Sequence, residues 1–308
     1  MSIRLRLGTR ASALARWQAD WVAARLAEQG VDVELVLITT QGDAEQHDPI
    51  GNLGSPGVFT KEIQRALLED RVDLAVHSLK DLPTEPIEGL CLAAVPPRET
   101  TADVLISHDG RRFADLPTGA TIGTGSLRRR AQLLHLRPDL VMAGIRGNVD
   151  TRLEKLARGD FDAIVLAEAG LKRLGLSSRI TEILPGDKVL PAVGQGALGI
   201  ETRADDDRTR AALAALNDPV THAAVLAERT LLADLAGGCL APIAAWARSL
   251  DAQTLALDAA VLSQDGHQRL FFSQQGPLTS AQSLGSAVAA ALLAQGAADL
   301  IAAARVTG

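Results

Sequence analysis

Cys239 stands in Leu235-Ala236-Gly237-Gly238-Cys239-Leu240-Ala241-Pro242, where two glycines clear side chains from the approach to a thiol. An apolar helical pattern runs into this segment and Pro242 stops it. Such a thiol serves either as a nucleophile open to a bulky group or as a small buried hydrophobe. A second chemical cluster follows a strand-like run in Val76-His77-Ser78-Leu79-Lys80-Asp81-Leu82-Pro83. There Asp81 can stabilise a developing cation or exchange a proton, and Lys80 can bind an acid group. Taken alone, the same residues read as an Asp-x-Pro turn with a solvated lysine.

Two further segments are built for anions. Gly123-Thr124-Gly125-Ser126-Leu127-Arg128-Arg129-Arg130 leads from a turn into a helix, offering N-terminal amides, hydroxyls and guanidinium groups. In Arg146-Gly147-Asn148-Val149-Asp150-Thr151-Arg152, two arginines can each grip a carboxylate bidentately. Arg10, in Gly8-Thr9-Arg10-Ala11-Ser12, repeats the device at an earlier strand-to-helix turn. Phosphate and carboxylate both satisfy this pattern. Between Thr121 and Arg152 six arginines face only Asp139 and Asp150, in a chain of net charge −6. That contrast points to a pocket for a small polyanion. The acidic balance, with 3% aromatic residues and no tyrosine, argues against nucleic-acid binding.

Gly194-Gln195-Gly196-Ala197-Leu198-Gly199 has the letters of a dinucleotide fingerprint, but Pro191 precedes it and Gly199-Ile200-Glu201 looks like a strand. A fingerprint must follow a strand and open a helix, so this reads as a close-packed turn or hinge and no nicotinamide cofactor is expected. Cysteines and histidines show no metal-ligand spacing. With two cysteines, no signal-peptide pattern and no run of 18 apolar residues, the expectation is a cytoplasmic protein without a membrane partner.

The elements that must position these residues alternate in a βαβ rhythm. Strands are expected at 3–7, 33–38 and 72–76, with helices at 12–28 and 58–69. A second series has strands at 104–107, 140–143 and 163–167 and helices at 127–136 and 149–158. The two series, joined near Pro96-Pro97, imply two lobes with a cleft between them. Helices are expected at 205–216 and 220–235, then strands at 243–247, 255–262 and 269–273. A helix at 281–304, broken at Gly296, completes a small third domain. The segment 40–57, rich in Gly and Pro without period, reads either as a lid or as a surface excursion.

The segments GTRASALARWQA, TTQGD, VHSLKDLPTE, GTGSLRRRAQL, IRGNVDTRLEKL, LAEAGLKRLG, LPAVGQGALGIE and LAGGCLAPI together closely resemble the porphobilinogen deaminase (hydroxymethylbilane synthase) family, in the family's order over nearly the whole chain. The resemblance implies two lobes like those of periplasmic binding proteins, residues 1–96 with 197–215 and residues 100–193. A C-terminal α+β domain, 218–308, with a three-stranded sheet would carry the cofactor cysteine. The implied activity is stepwise condensation of four porphobilinogen units to hydroxymethylbilane, with ammonia released at each addition. The implied cofactor is a dipyrromethane joined through a thioether to Cys239. Asp81 would assist deamination and stabilise the azafulvene and pyrrolium cations. Arg10, Arg128, Arg129, Arg146 and Arg152 would bind acetate and propionate groups. Ser12, Ser78, Lys80, Thr124, Ser126, Arg173 and Gln195 fall in cofactor- and substrate-contacting segments, and Phe59 belongs to the lid. A monomer is implied.

Three positions depart from the family pattern: Pro56 where many relatives carry lysine, Gly125 for a common serine, and Glu168 where small or apolar residues are frequent. On the residues alone, a two-lobed anion-binding module remains the rival reading. A phosphate-handling enzyme is a weaker one, lacking a Walker lysine motif.

Overall fold

A computed structural model describes residues 3–39, 60–236 and 241–306. In chain order the first elements are β1 (Ile3–Thr9), α1 (Ala13–Ala27), β2 (Val31–Leu37), α2 (Lys61–Leu68), β3 (Leu74–Ser78) and β4 (Leu90–Ala94). Next come β5 (Asp103–Ser107), β6 (Thr121–Gly123), α3 (Leu127–Leu136), β7 (Val141–Ala143), α4 (Val149–Ala157), β8 (Ala163–Ala167), α5 (Glu168–Arg173) and β9 (Glu182–Ile183). The remainder is β10 (Leu198–Arg203), α6 (Asp207–Leu213), α7 (Pro219–Asp234), β11 (Ile243–Ser249), β12 (Thr254–Leu262), β13 (Arg269–Pro277), α8 (Ala281–Ala294) and α9 (Ala297–Val306).

The chain divides into two compact units, Met1–Glu99 with Ala197–His222, and Thr100–Gly196 with Ala223–Gly308. In the first, the sheet order is β2-β1-β3-β10-β4. β1 runs parallel to β2 and β3, while the returning β10 is antiparallel to both of its neighbours. Alternation turns Leu5 and Leu7 of β1 onto Val22 and Leu26 of α1. Ile63 and Leu67 of α2 pack with Val72 and Ala75 in a separate cluster. Cutting a fully buried leucine such as Leu7 to alanine costs about 2–5 kcal/mol.

The second unit holds two sheets. Its five-stranded sheet, β7-β6-β8-β5-β9, repeats the first unit's plan: three parallel strands, then an antiparallel inserted strand, then an edge strand. Leu105, Ile122 and Val165 pack with Leu133 of α3, and Val104, Ile164 and Leu166 pack with Leu153 and Leu156 of α4. The antiparallel β11-β12-β13 sheet shares a core with α7, α8 and α9 through Leu231, Leu257, Val261, Leu284, Val288 and Ile301. Ala244, Ala260 and Leu262 form a further cluster with Ala131 of α3 and Leu190. The β12–β13 hairpin meets the end of the same helix, where Gly266 O lies 2.8 Å from Nδ1 of His135. A Cβ on Gly266 would fall 2.5 Å from the His135 amide nitrogen, so only glycine fits this contact.

α8 and α9 separate at Gly296, whose φ of +97° suits glycine. Among the described helices none is long and apolar enough to cross a membrane alone. The segments 278–294 and 297–305 reach that composition only as a pair bent by 83°. Several elements had no counterpart in the sequence reading, among them β6, which falls where a turn was expected, and the two-residue β9. β4 is a half-buried edge strand between Gly89 and Pro96, and α5 is too short to display a helical period.

Candidate active site

In the first unit, the parallel pairing of β1 with β3 brings their C-terminal ends to one edge of the sheet. Both strands then hand the chain to a turn that carries predicted site residues. After β1 come Arg10 and Ser12. Ser12 caps α1, its Oγ accepting from the Ala15 amide at 3.4 Å. After β3 come Ser78 and one 3-10 turn, Leu79–Asp81. Gln18 of α1, buried, donates through Nε2 to Ser78 Oγ at 2.7 Å and so ties the two turns together. Leu79 anchors the 3-10 turn in the core, leaving Lys80 and Asp81 exposed. Asp81 forms no ion pair among the described residues, so its charge remains available.

Behind Ser78 lies a polar cluster that sequence reasoning missed. His77 Nε2 sits 3.0 Å from Oε2 of Glu201, and Gln64 Nε2 donates to both Glu201 oxygens at 3.2 and 3.1 Å. All three residues are buried. They sit on β3, β10 and α2, and the spacing of 137 residues between Gln64 and Glu201 leaves no local signature.

The second unit repeats the strand-to-helix device. β6 ends at Gly123, Thr124 Oγ1 accepts from the Ser126 amide at 3.2 Å, and Ser126 caps α3 by accepting from Arg129 N–H at 3.4 Å. Thr124 is buried, Ser126 half-buried and Gly125 exposed. Arg128 and Arg129 do not stand out as solvated cations; both are buried around the fully buried carboxylate of Asp103. Arg128 Nη1 donates to Asp103 Oδ2 at 2.8 Å and to Leu190 O at 2.6 Å. Arg129 donates to Asp103 Oδ1 through Nε and Nη2, at 3.0 and 2.7 Å, and through Nη1 to Val165 O at 3.0 Å. Burial pushes the Asp103 carboxyl up, but the two guanidinium charges and their hydrogen bonds outweigh it and hold the group well below the usual carboxylate range. Burial in turn pulls Arg128 below its ordinary value, with Asp103 opposing.

Gln195 joins the same network. It sits in the turn 193–196, where Gly194 and Gly196 have positive φ and β10 follows, so the fingerprint letters fall on a turn and a strand. Its Nε2 donates to Asp103 Oδ1 at 2.9 Å and to Thr101 O at 2.7 Å. Arg173 Nη2 donates to Gly196 O at 2.7 Å. Arg146 and Arg152 flank the turn into α4 and are half-buried, with Arg152 Nε donating to Gly147 O at 2.8 Å. Glu168 accepts from Thr100 Oγ1 at 2.7 Å and faces Lys172 Nζ at 3.4 Å. Its charge is thus met by a lysine and a hydroxyl rather than by an arginine.

Cys239, Phe59, Pro56 and the segment 40–57 lie outside the described residues. On the near side of Cys239, Leu235 is buried at the end of α7 and Ala236 has φ +48°. Arg305 of α9 donates to Ala236 O. On the far side Ala241 is buried before β11. Among the described residues no group of three or more His, Cys, Asp or Glu could hold a metal ion.

Solved structures that the chain matches include the methionine binding protein MetQ, 12% identical, covering 69% of this chain and 89% of that one at a TM-score of 0.45. A Salmonella typhimurium periplasmic binding protein is 17% identical, covering 71% and 94% at 0.41. Sequence relatives are far nearer. A porphobilinogen deaminase of Syntrophotalea carbinolica is 50% identical over 308 residues, covering 99% of this chain and 98% of that relative. One of Geobacter sulfurreducens is 50% identical over 301 residues, covering 97% and 94%. The family model described as the porphobilinogen deaminase dipyromethane cofactor binding domain matches residues 5–211, and the model of its C-terminal domain matches residues 222–294. With two α/β sheets, a C-terminal antiparallel sheet and this likeness over its whole length, the chain belongs to the porphobilinogen deaminase family.

Proposed function

We infer that the protein condenses four porphobilinogen units into hydroxymethylbilane, releasing one ammonia per unit, with Asp81 as the catalytic carboxylate and Cys239 as the attachment point of a dipyrromethane cofactor. The observation that carries this reading is 50% identity across 99% of the chain to a porphobilinogen deaminase. Loss of ammonia from the aminomethyl group leaves a cation on the pyrrole. A carboxylate without an ion pair among the described residues, held beyond β3 on a turn anchored by Leu79 and Gln18, is suited to lowering the energy of that cation. When bound, dipyrromethane supplies the pyrrole carbon to which the first unit is joined.

The residues present fit such a group. Each pyrrole unit brings two carboxylates, and the second unit offers Arg146, Arg152, the Thr124 and Ser126 hydroxyls and the amides that open α3. Nε of Arg128 is buried without a hydrogen-bond acceptor among the described residues, a donor left over once Asp103 and Leu190 are served. Arg10, Ser12, Ser78 and Lys80 supply the corresponding polar set in the first unit. Arg129 and Gln195 act through Asp103, and Arg173 through the Gly196 carbonyl. Residues 218–308, most of whose buried apolar side chains share one core that also takes in Val193, form the domain that presents Cys239. Phe59 is assigned to a lid over the site. The enzyme works as a cytoplasmic monomer.

The test is direct. Incubation with porphobilinogen should consume substrate with one ammonia released per unit and yield a linear tetrapyrrole. Tight binding without consumption would favour an anion-binding module.

A further inference from the structure

Asp103 is a fully buried carboxylate on the first residue of β5, and four donor atoms converge on it. Arg128 Nη1 is 2.8 Å from Oδ2, while Arg129 Nη2, Arg129 Nε and Gln195 Nε2 are 2.7, 3.0 and 2.9 Å from Oδ1. Desolvating one carboxylate and two guanidinium groups is costly, and well-packed apolar residues usually serve stability as well or better. A purely structural account therefore leaves the cluster unexplained.

Its connectivity supplies the reason. The arginines belong to the first turn of α3, directly after Thr124 and the Ser126 cap. Arg128 and Gln132 both donate to Leu190 O, at 2.6 and 3.0 Å, and Leu190 N–H donates back to Gln132 Oε1 at 2.8 Å. Gln195 fixes the other end of the 190–195 segment and also holds Thr101 O. Arg129 reaches across to Val165 O of β8. One carboxylate thus locks the start of α3 to β5, β8 and the 190–195 segment.

We propose that Asp103 is a positioning residue for carboxylate recognition, holding the Thr124–Ser126 turn and the first turn of α3 in the orientation that receives the acid groups of the pyrrole chain. This rests on the functional reading above and adds to it a residue that touches no substrate. Asp103 keeps both guanidinium planes fixed, so the α3 amides and the Ser126 hydroxyl meet a ligand carboxylate without reorganising. Nε of Arg128 remains as the buried donor the carboxylate of Asp103 does not use.

The experiment compares Asp103→Asn and Asp103→Glu with the unaltered enzyme. Two quantities are read: the time course of cofactor attachment to the apo-protein, by intact mass, and KM against kcat of the loaded enzyme. Asp103→Asn should slow attachment about tenfold and raise KM about fivefold, with kcat within about twofold. A merely structural role would lower the folded fraction and apparent kcat while leaving KM unchanged. Asp103→Glu keeps the buried negative charge between the two arginines, so it reads the geometry even if Asp103→Asn does not fold. Its displaced carboxylate should give the same defect at about threefold. Attachment rate and KM equal to those of the unaltered protein in a folded variant would overturn the assignment. If the unaltered protein itself never acquires the cofactor from porphobilinogen, the functional reading fails first and takes this proposal with it.

Discussion

The amide of Gly194 donates to Oε2 of Glu228 at 2.7 Å, and Oε1 of the same fully buried carboxylate accepts from the Ala247 amide at 2.8 Å. A single side chain on α7 therefore holds the 193–196 turn to β11, within the helix that leads to Cys239. Glu228→Gln replaces one acceptor by an NH₂ donor that must face a backbone N–H. It should cost about 1–3 kcal/mol in urea unfolding, and an unchanged midpoint would show that the two amides find other partners.

Asp81 is exposed and makes no ion pair among the described residues, so its charge contributes little to folding. Asp81→Asn should lower kcat by about 10²–10³ while leaving the unfolding midpoint in place. Near-normal turnover would remove Asp81 from the chemistry.

The carboxyl of Asp103 titrates below the usual range because Arg128 and Arg129 outweigh its desolvation. A depressed folded value means that its stabilisation is fully present above the unfolded value of about 4 and is lost as pH falls further. The stability difference between the unaltered protein and Asp103→Asn should be about 3–5 kcal/mol at pH 7. It should stay level down to about pH 5 and shrink below about pH 4. Asp73, also held low despite burial by Arg6 and Arg203, is common to both proteins and cancels in the difference. A difference constant to pH 2 or so would mean that the pair of arginines does not require the charge.

Much of this architecture could be read in the chain, and the exceptions share a physical cause. α3 and β8 fall on the residues that periodicity indicates, and the final helix breaks at Gly296. The strand-to-helix turns carrying Ser12 and Ser126 could be read because such a turn is a local device, while the capping by the two serines emerged only in the structure. Asp103 was not, since its partners lie 25, 26 and 92 residues away. Glu228 hides in an otherwise apolar helical pattern, and His77 with Glu201 is joined only by the antiparallel pairing of β3 and β10. The arginine count pointed to anion recognition as a composition, but could not reveal that two of those arginines spend their charge on a buried aspartate. Cys239 and the lid residues lie outside the described residues, so their roles rest on the chain's family membership and on the elements flanking them.

Cys91 is half-buried on β4, and burial pushes its thiol above the ordinary value, with Arg210 opposing and Glu201 adding to the rise. It should react slowly with iodoacetamide at neutral pH, and Cys91→Ser should retain cofactor loading and turnover. Loss of loading in that variant would place the attachment site at the wrong cysteine.

The most direct test is the intact mass of the denatured, purified protein after incubation with porphobilinogen, followed by peptide mapping. The expected result is a covalent adduct of two pyrrole units on the peptide containing Cys239, absent from Cys239→Ser. An unmodified Cys239 after exposure to porphobilinogen and to preformed hydroxymethylbilane would contradict the account.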